Sequence, residues 1–136
     1  MSLTHKFINM KYVGFISENS EYLFSKSLKN YYLSKKDINP NRELVIAYLK
    51  KGVLCVAFMG IAEDEDESRM GTISVETDGE WYWPNYFANY LKKYPHFKID
   101  PKFESHVLKN QGKRPVLSEE KVVELEKEFL SYAGFK

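Results

Sequence analysis

The stretch Thr77-Asp78-Gly79-Glu80-Trp81-Tyr82-Trp83-Pro84 constrains the fold of this chain more than any other segment. Asp-Gly between two runs of β-branched and aromatic residues is a strong turn signal, because Asp bonds its own backbone and Gly accepts positive φ. Upstream, residues 72–77 alternate Ile73 and Val75 against Thr72, Ser74 and Glu76, the pattern of a half-buried strand. Downstream, Trp81 and Trp83 are two apart, so in a strand they share one face and Tyr82 takes the other. Pro84 suits the first turn of a helix carrying Tyr86, Phe87, Tyr90 and Leu91, which ends by Tyr94-Pro95. One short segment therefore specifies a strand, a hairpin turn, a second strand and a helix entry.

The remainder can be placed around it. Residues 53–58 (VLCVAF) are nearly all apolar and suit a central strand buried on both faces. Residues 7–16 read as extended, with Met10, Tyr12 and Ile16 opposite Val13 and Phe15. A helix is expected over 20–33, where Tyr22, Leu23, Leu28, Tyr31 and Tyr32 keep to one broad face. Asn39-Pro40 starts another, with Leu44, Val45, Tyr48 and Leu49 inward and Gly52 as a left-handed stop. Residues 62–71 read as an acidic loop. Asp100-Pro101 opens a short helix with Phe103, Val107 and Leu108, ended by Asn110-Gln111-Gly112. Ser118 caps the last helix, whose stripe is Val122, Leu125, Phe129, Leu130 and Tyr132, with Gly134 beyond. The endings Tyr48-Leu49-Lys50-Lys51 and Tyr90-Leu91-Lys92-Lys93 look alike, but lysine suits the negative end of any helix, so no repeat is required.

These elements predict an α+β domain spanning 1–136, with Met1-Ser2-Leu3 set apart as a candidate expression leader. The sheet is small and antiparallel, with three or four strands over 53–59, 72–77, 80–83 and 11–15, and about five helices pack on it. The links between the later strands hold no helix, which favours antiparallel pairing. A chain of 136 residues that is 15% aromatic can bury a core without metal or disulfide staples.

Composition narrows the function classes. One cysteine, Cys55, makes no internal disulfide, and no apolar run approaches the roughly 20 residues of a membrane span, so a cytoplasmic home is expected. The net charge is only +1, yet residues 61–80 hold eight Asp/Glu and one Arg. The core of that segment, Glu63-Asp64-Glu65-Asp66-Glu67, reads as a solvated charge run or as a docking surface for a basic protein partner. As a cation site it lacks the alternation and the glycine of a calcium loop, so no metal is assigned. Trp81 and Trp83 suit either a ligand platform or core packing; Tyr82, opposite them, is the better candidate for exposure and joins the acidic run as partner-binding. Asp78 beside Glu80 resembles a carboxylate pair, although turn chemistry accounts for it. His5, His96 and His106 are scattered, Cys55 lies in an apolar run, and the seven glycines fall singly. These features supply neither a catalytic motif nor a phosphate loop, and no cofactor is indicated. Lys92, Lys93, Lys98, Lys102, Lys109, Lys113 and Arg114, near Tyr94 and Phe97, form a loose basic set that would serve nucleic acid.

Tyr48-Leu49-Lys50-Lys51-Gly52, the Thr77–Pro84 stretch, residues 90–94 and Asp100-Pro101-Lys102-Phe103 together resemble a widespread family of small bacterial proteins. Its pattern is a helix end, an apolar strand, TDG-x-W-x-WP, an aromatic helix and a P-x-x-F helix, matched here over about 44–115. Some members resemble immunity proteins of toxin systems, which bind and block a cognate toxin. The resemblance implies no catalytic residues, and the acidic run lies outside its pattern. The expected function is therefore a non-catalytic binding protein, with a small-ligand protein or enzyme using a cleft near Trp81, Tyr82 and Asp78 as the alternative.

Overall fold

The hairpin at Asp78-Gly79 lies inside a mixed sheet. The computed structural model describes residues 11–31 and 39–132. In it, β5 (Val75–Thr77) and β6 (Trp81–Pro84) pair antiparallel across the turn, with Thr77 opposite Tyr82 and Val75 opposite Pro84. β2 (Val53–Val56) pairs antiparallel with β5, and β1 (Lys11–Tyr12) runs parallel to β6, giving the order β1-β6-β5-β2. β3 (Ile61–Glu63) and β4 (Arg69–Thr72) form a separate hairpin. Four helices stand among the described residues: α1 (Arg42–Leu49), α2 (Phe87–Lys93), α3 (Pro101–Lys109) and α4 (Glu119–Tyr132). The α+β single-domain expectation holds, and none of the described helices is long and apolar enough to cross a membrane.

Alternation along β6 divides the core in two. Trp81 and Trp83 point to a cluster with Tyr48, Leu49, Phe87, Leu91 and Phe103, contributed by α1, α2 and α3. Tyr82 and Val75 point to the other face, against Cys55, Val56, Phe15, Leu125 and Phe129. Tyr82 is consequently buried at 2% exposure, not exposed as its alternation with the tryptophans suggested. The reason is α4: it covers the second face, and the Tyr82 hydroxyl donates to the Leu125 carbonyl at 3.3 Å. Burial also pushes that hydroxyl far above the ordinary phenol value, with Glu128 adding to the effect.

Several expected elements differ. The 20–33 segment is not an α-helix up to Tyr31; it is a run of turns with a 3₁₀ turn at Leu28–Tyr31. Local side-chain bonds compete with a helical ladder here: Ser25 Oγ accepts from the Tyr22 amide at 3.2 Å, and Glu18 from the Leu28 amide at 2.9 Å. Tyr22 packs on Phe15 and Phe129 while Leu23 stays 63% exposed, an extended period rather than a helical one. β2 is an edge strand, with Leu54 exposed on it. The 72–77 run breaks at Ile73-Ser74, so Thr72 belongs to β4. Pro84 ends β6 instead of opening a helix; α2 starts at Phe87. Leu44, Leu108 and Leu130 lie at the rim, not inward. Gly52 is not left-handed; a Cβ there would sit 2.4 Å from the Trp83 ring, so closeness of packing requires it. Asp100 and Ser118 do cap α3 and α4 as expected, accepting from Lys102 and Lys121 amides. Residues 7–10, 32–38, Gly134 and His5 lie outside the described residues, as does the Tyr132 side chain.

Candidate functional site

The acidic run is not a loop but the tip of the β3–β4 hairpin. The Glu67 amide donates to the Asp64 carbonyl at 2.9 Å and the Asp64 amide to the Ser68 carbonyl at 3.0 Å, closing a tight turn with Glu67 at φ 68°. The five acids then part ways. Asp64 turns inward and is buried, whereas Glu63, Glu65 and Glu67 remain exposed. Lys93 Nζ, at the end of α2, stands 2.6 Å from Asp64 and 2.8 Å from Asp66, and donates to Ser68 Oγ at 2.9 Å. The Tyr94 hydroxyl also donates to Asp64. Burial alone raises the Asp64 carboxyl, but the bonds from Lys93, Tyr94 and the Glu65 backbone outweigh it and leave it below the ordinary value. The Lys93 and Ser68 bonds lower Asp66 as well, and the two carboxylates raise Lys93.

Aromatic side chains extend this brace. The Tyr90 hydroxyl donates to the Glu63 carbonyl at 3.1 Å and accepts from Asn19 Nδ2 at 2.9 Å, while Asn19 Oδ1 takes the Glu63 amide at 3.1 Å. Asn89 Nδ2 donates to the Met70 carbonyl at 2.8 Å. The hairpin is thus pinned to α2 along its length. A sequence reading could not supply these partners, since they come from 19 to 44 residues away; the one local hint was the crowding of Asn, Tyr and Lys on α2. Asp64 and Asp66 accordingly contribute less outward field than their number implies, and the remaining outward acids are three glutamates.

The Thr77–Pro84 stretch meets its other motif residues at Asp78. Asp78 Oδ1 accepts from the Glu80 amide at 3.0 Å and the Trp81 amide at 2.8 Å, the expected turn chemistry. Its second oxygen does more. Oδ2 accepts from the Tyr48 hydroxyl at 2.5 Å and lies 2.6 Å from His106 Nε2. Trp81 packs on Phe103 at 5.2 Å between ring centroids and Trp83 at 5.7 Å, and Phe103 stacks beside His106. Gly79, at φ 102°, allows the turn. The residues of the helix end, the hairpin and the P-x-x-F helix therefore form one buried knot joining α1, α3 and the β5–β6 turn. The side-chain hydrogen-bond and ion-pair partners of His106 among the described residues are Asp78, Glu80, Tyr48 and Asn110. Burial, then the bond to Asp78, push the Tyr48 hydroxyl well above the usual phenol value, so it serves as a neutral donor. The knot ties α1 and α3 to the β5–β6 turn.

An open cleft of about 800 Å³ lies beside that tie, with Trp81, His106 and Lys102 among its walls. The basic set of the sequence does not form one stripe. Lys93 is committed to the hairpin, and Lys98 lines a smaller adjoining cavity, while Lys102 and Lys109 face the cleft. Among the described residues no group of three or more His, Cys, Asp or Glu side chains is arranged to hold a metal. Burial, helped by Glu126 and Glu128, pushes the Cys55 thiol up to about 12, which disfavours the thiolate.

No family model, no curated protein and no solved structure matches this chain.

Proposed function

We propose that this chain is a non-catalytic binding protein that docks a basic protein partner through the β3–β4 hairpin, as an immunity protein does when it occludes a cognate toxin. The observation that supports this reading is the brace. Lys93 fixes the turn through Asp64 and Asp66, and so holds Glu63, Glu65 and Glu67 outward on a backbone that is already ordered. A preformed acidic turn loses little conformational entropy on binding and steers a cationic partner towards it. Met59 is 100% exposed and Ile61 51%, directly before the hairpin tip. Apolar side chains next to a charged rim match the anatomy of protein interfaces. The family resemblance of the Thr77–Pro84 stretch points to the same class, and the single free thiol is in keeping with a cytoplasmic encounter.

The test is co-purification with the toxin-like product of a neighbouring gene, for the native chain and for a Glu63→Gln, Glu65→Gln, Glu67→Gln variant. The variant should lose affinity and most of its salt dependence while folding normally. Equal affinity and equal salt dependence would remove the hairpin from the mechanism.

A further inference from the structure

We propose that the outer edge of the run 53–62 pairs antiparallel with the same edge of a second copy of this chain, joining two sheets across a two-fold axis. The inference does not rest on the docking of a basic partner. Its test uses the chain alone, so its failure leaves that reading untouched.

The run VLCVAFMGIA, from Val53 to Ala62, holds no charged residue and no proline. One side of it is bonded throughout. β2 pairs with β5 and β3 with β4, and between them the Phe58 amide donates to Ser74 Oγ at 3.0 Å and the Ile73 amide to the Gly60 carbonyl at 3.3 Å. The other side is an edge: β2 stands last in its sheet, and β3 has β4 as its strand neighbour among the described residues. Asn19 Oδ1 takes the Glu63 amide, which ends the open stretch. Natural edges are blunted by charge, proline or bulges. Register shifts bend this one, but neither charge nor proline interrupts it. Leu54, Met59 and Ile61 are exposed along it, whereas Phe58 turns into the second core cluster. An uncharged edge with apolar side chains is a template for another strand.

Charge identifies which strand. The run is bounded by Lys50-Lys51 at its start and by Glu63-Asp64-Glu65 at its end. Contact with Lys92 holds the exposed Lys50 ammonium below its ordinary value. Neither lysine has an ion-pair partner among the described residues, and nor do the exposed Glu63 and Glu65. Antiparallel pairing centred between Ala57 and Phe58 sets the uncharged run against itself. It also brings Lys50 of each copy opposite Glu65 of the other. The crowded lysines thereby gain an acid, and the two-fold axis repeats the contact. Parallel pairing would set lysine beside lysine and glutamate beside glutamate. One strand pair makes a small interface, so the association should be weak, with a dissociation constant on the order of 10–100 µM.

Sedimentation equilibrium of the full chain up to about 500 µM should show a monomer–dimer equilibrium. Leu54→Lys with Met59→Lys, both at exposed positions, should weaken it at least about tenfold without changing the thermal midpoint. Lys50→Glu should weaken it several-fold, and adding Glu65→Lys in the same chain should restore it, since each copy then carries the swapped pair. Under mild oxidation Ala57→Cys should cross-link two copies, whereas the native chain and Val116→Cys should not. Amide exchange over residues 53–59 should slow as concentration rises. A native chain that stays monomeric throughout the range overturns the proposal. So does a dimer that the Leu54 and Met59 lysines leave intact, or one that Val116→Cys cross-links as readily. Protection of the 53–59 amides only on adding the toxin-like gene product would assign the edge to that partner and overturn the second copy.

Discussion

The Tyr48 hydroxyl reaches the Asp78 carboxylate at 2.5 Å across 30 positions of sequence, joining α1 to the β5–β6 turn. Asp78 is 1% exposed, and its oxygens are filled by two amides, this hydroxyl and His106. Tyr48→Phe would leave a buried carboxylate one donor short, at a cost of about 2 kcal/mol. Asp78→Ala removes the turn and the tie together, and should cost roughly 3–5 kcal/mol. Urea unfolding followed by fluorescence measures both. A Tyr48→Phe midpoint equal to that of the native chain would show that the bond contributes nothing net.

That tie also marks where sequence reading stopped. The Asp78-Gly79 turn, the shared face of Trp81 and Trp83, and the Asp100 and Ser118 caps depend on neighbours within a few residues, and all were legible. The second oxygen of Asp78 depends on α1 and α3 being packed side by side, which no local pattern encodes. Tyr82 illustrates the same limit. Its opposition to the tryptophans was legible, but whether its face meets water depended on α4, some 40 residues further along. The acidic run misled in the reverse direction. Five consecutive acids suggest a solvated loop, and only the position of Lys93 reveals that two of them hold a turn in place. Tyr22, Leu23 and Tyr31 fitted a helical face; serine and glutamate side chains bonding nearby amides favoured turns instead.

Glu67 adopts φ 68° at the hairpin tip, a conformation that costs an L-residue about 1 kcal/mol relative to glycine. Glu67→Gly should therefore stabilise the folded state by up to that amount, visible as a higher thermal midpoint. If the hairpin docks a partner, the same variant should bind more weakly through the loss of one outward charge. Gain in stability with loss of binding would separate the two roles of this residue; a lower midpoint would mean that the turn gains from its side chain.

The brace makes a pH dependence with a definite sign. Asp64 and Asp66 are lowered in the folded state, so they bind fewer protons there than in the unfolded chain around pH 4. Their contribution is complete above the ordinary carboxylate value and is lost as pH falls through the folded values. Lys93, raised by the same contacts, contributes at neutral pH and loses that contribution only as pH climbs beyond the ordinary lysine range. Glu76 opposes the trend: burial raises it, against the bonds from Asn85 and Trp83, so its share improves slightly on acidification. Stability measured from pH 6 down to about 2 should fall, and the fall should be shallower in Asp64→Asn. An identical slope in that variant would place the acid sensitivity elsewhere.

Cys55 reports on α4. Its thiol lies on β2 in the cluster shared with Leu125 and Phe129, and burial pushes its pKa to about 12. At pH 8 roughly one thiol in ten thousand would then be ionised, against about a quarter for a free cysteine. Reaction with a disulfide reagent should be slower than in urea by three orders of magnitude or so, and the residual rate should follow excursions of α4 from the sheet. Phe129→Leu removes the ring that packs on Phe15, Tyr22 and Tyr82 without exposing Cys55 statically. It should accelerate labelling by loosening α4. A native chain that labels as fast as the unfolded one would mean that α4 does not keep the second face of the sheet closed, and Tyr82 would then return as a candidate contact residue.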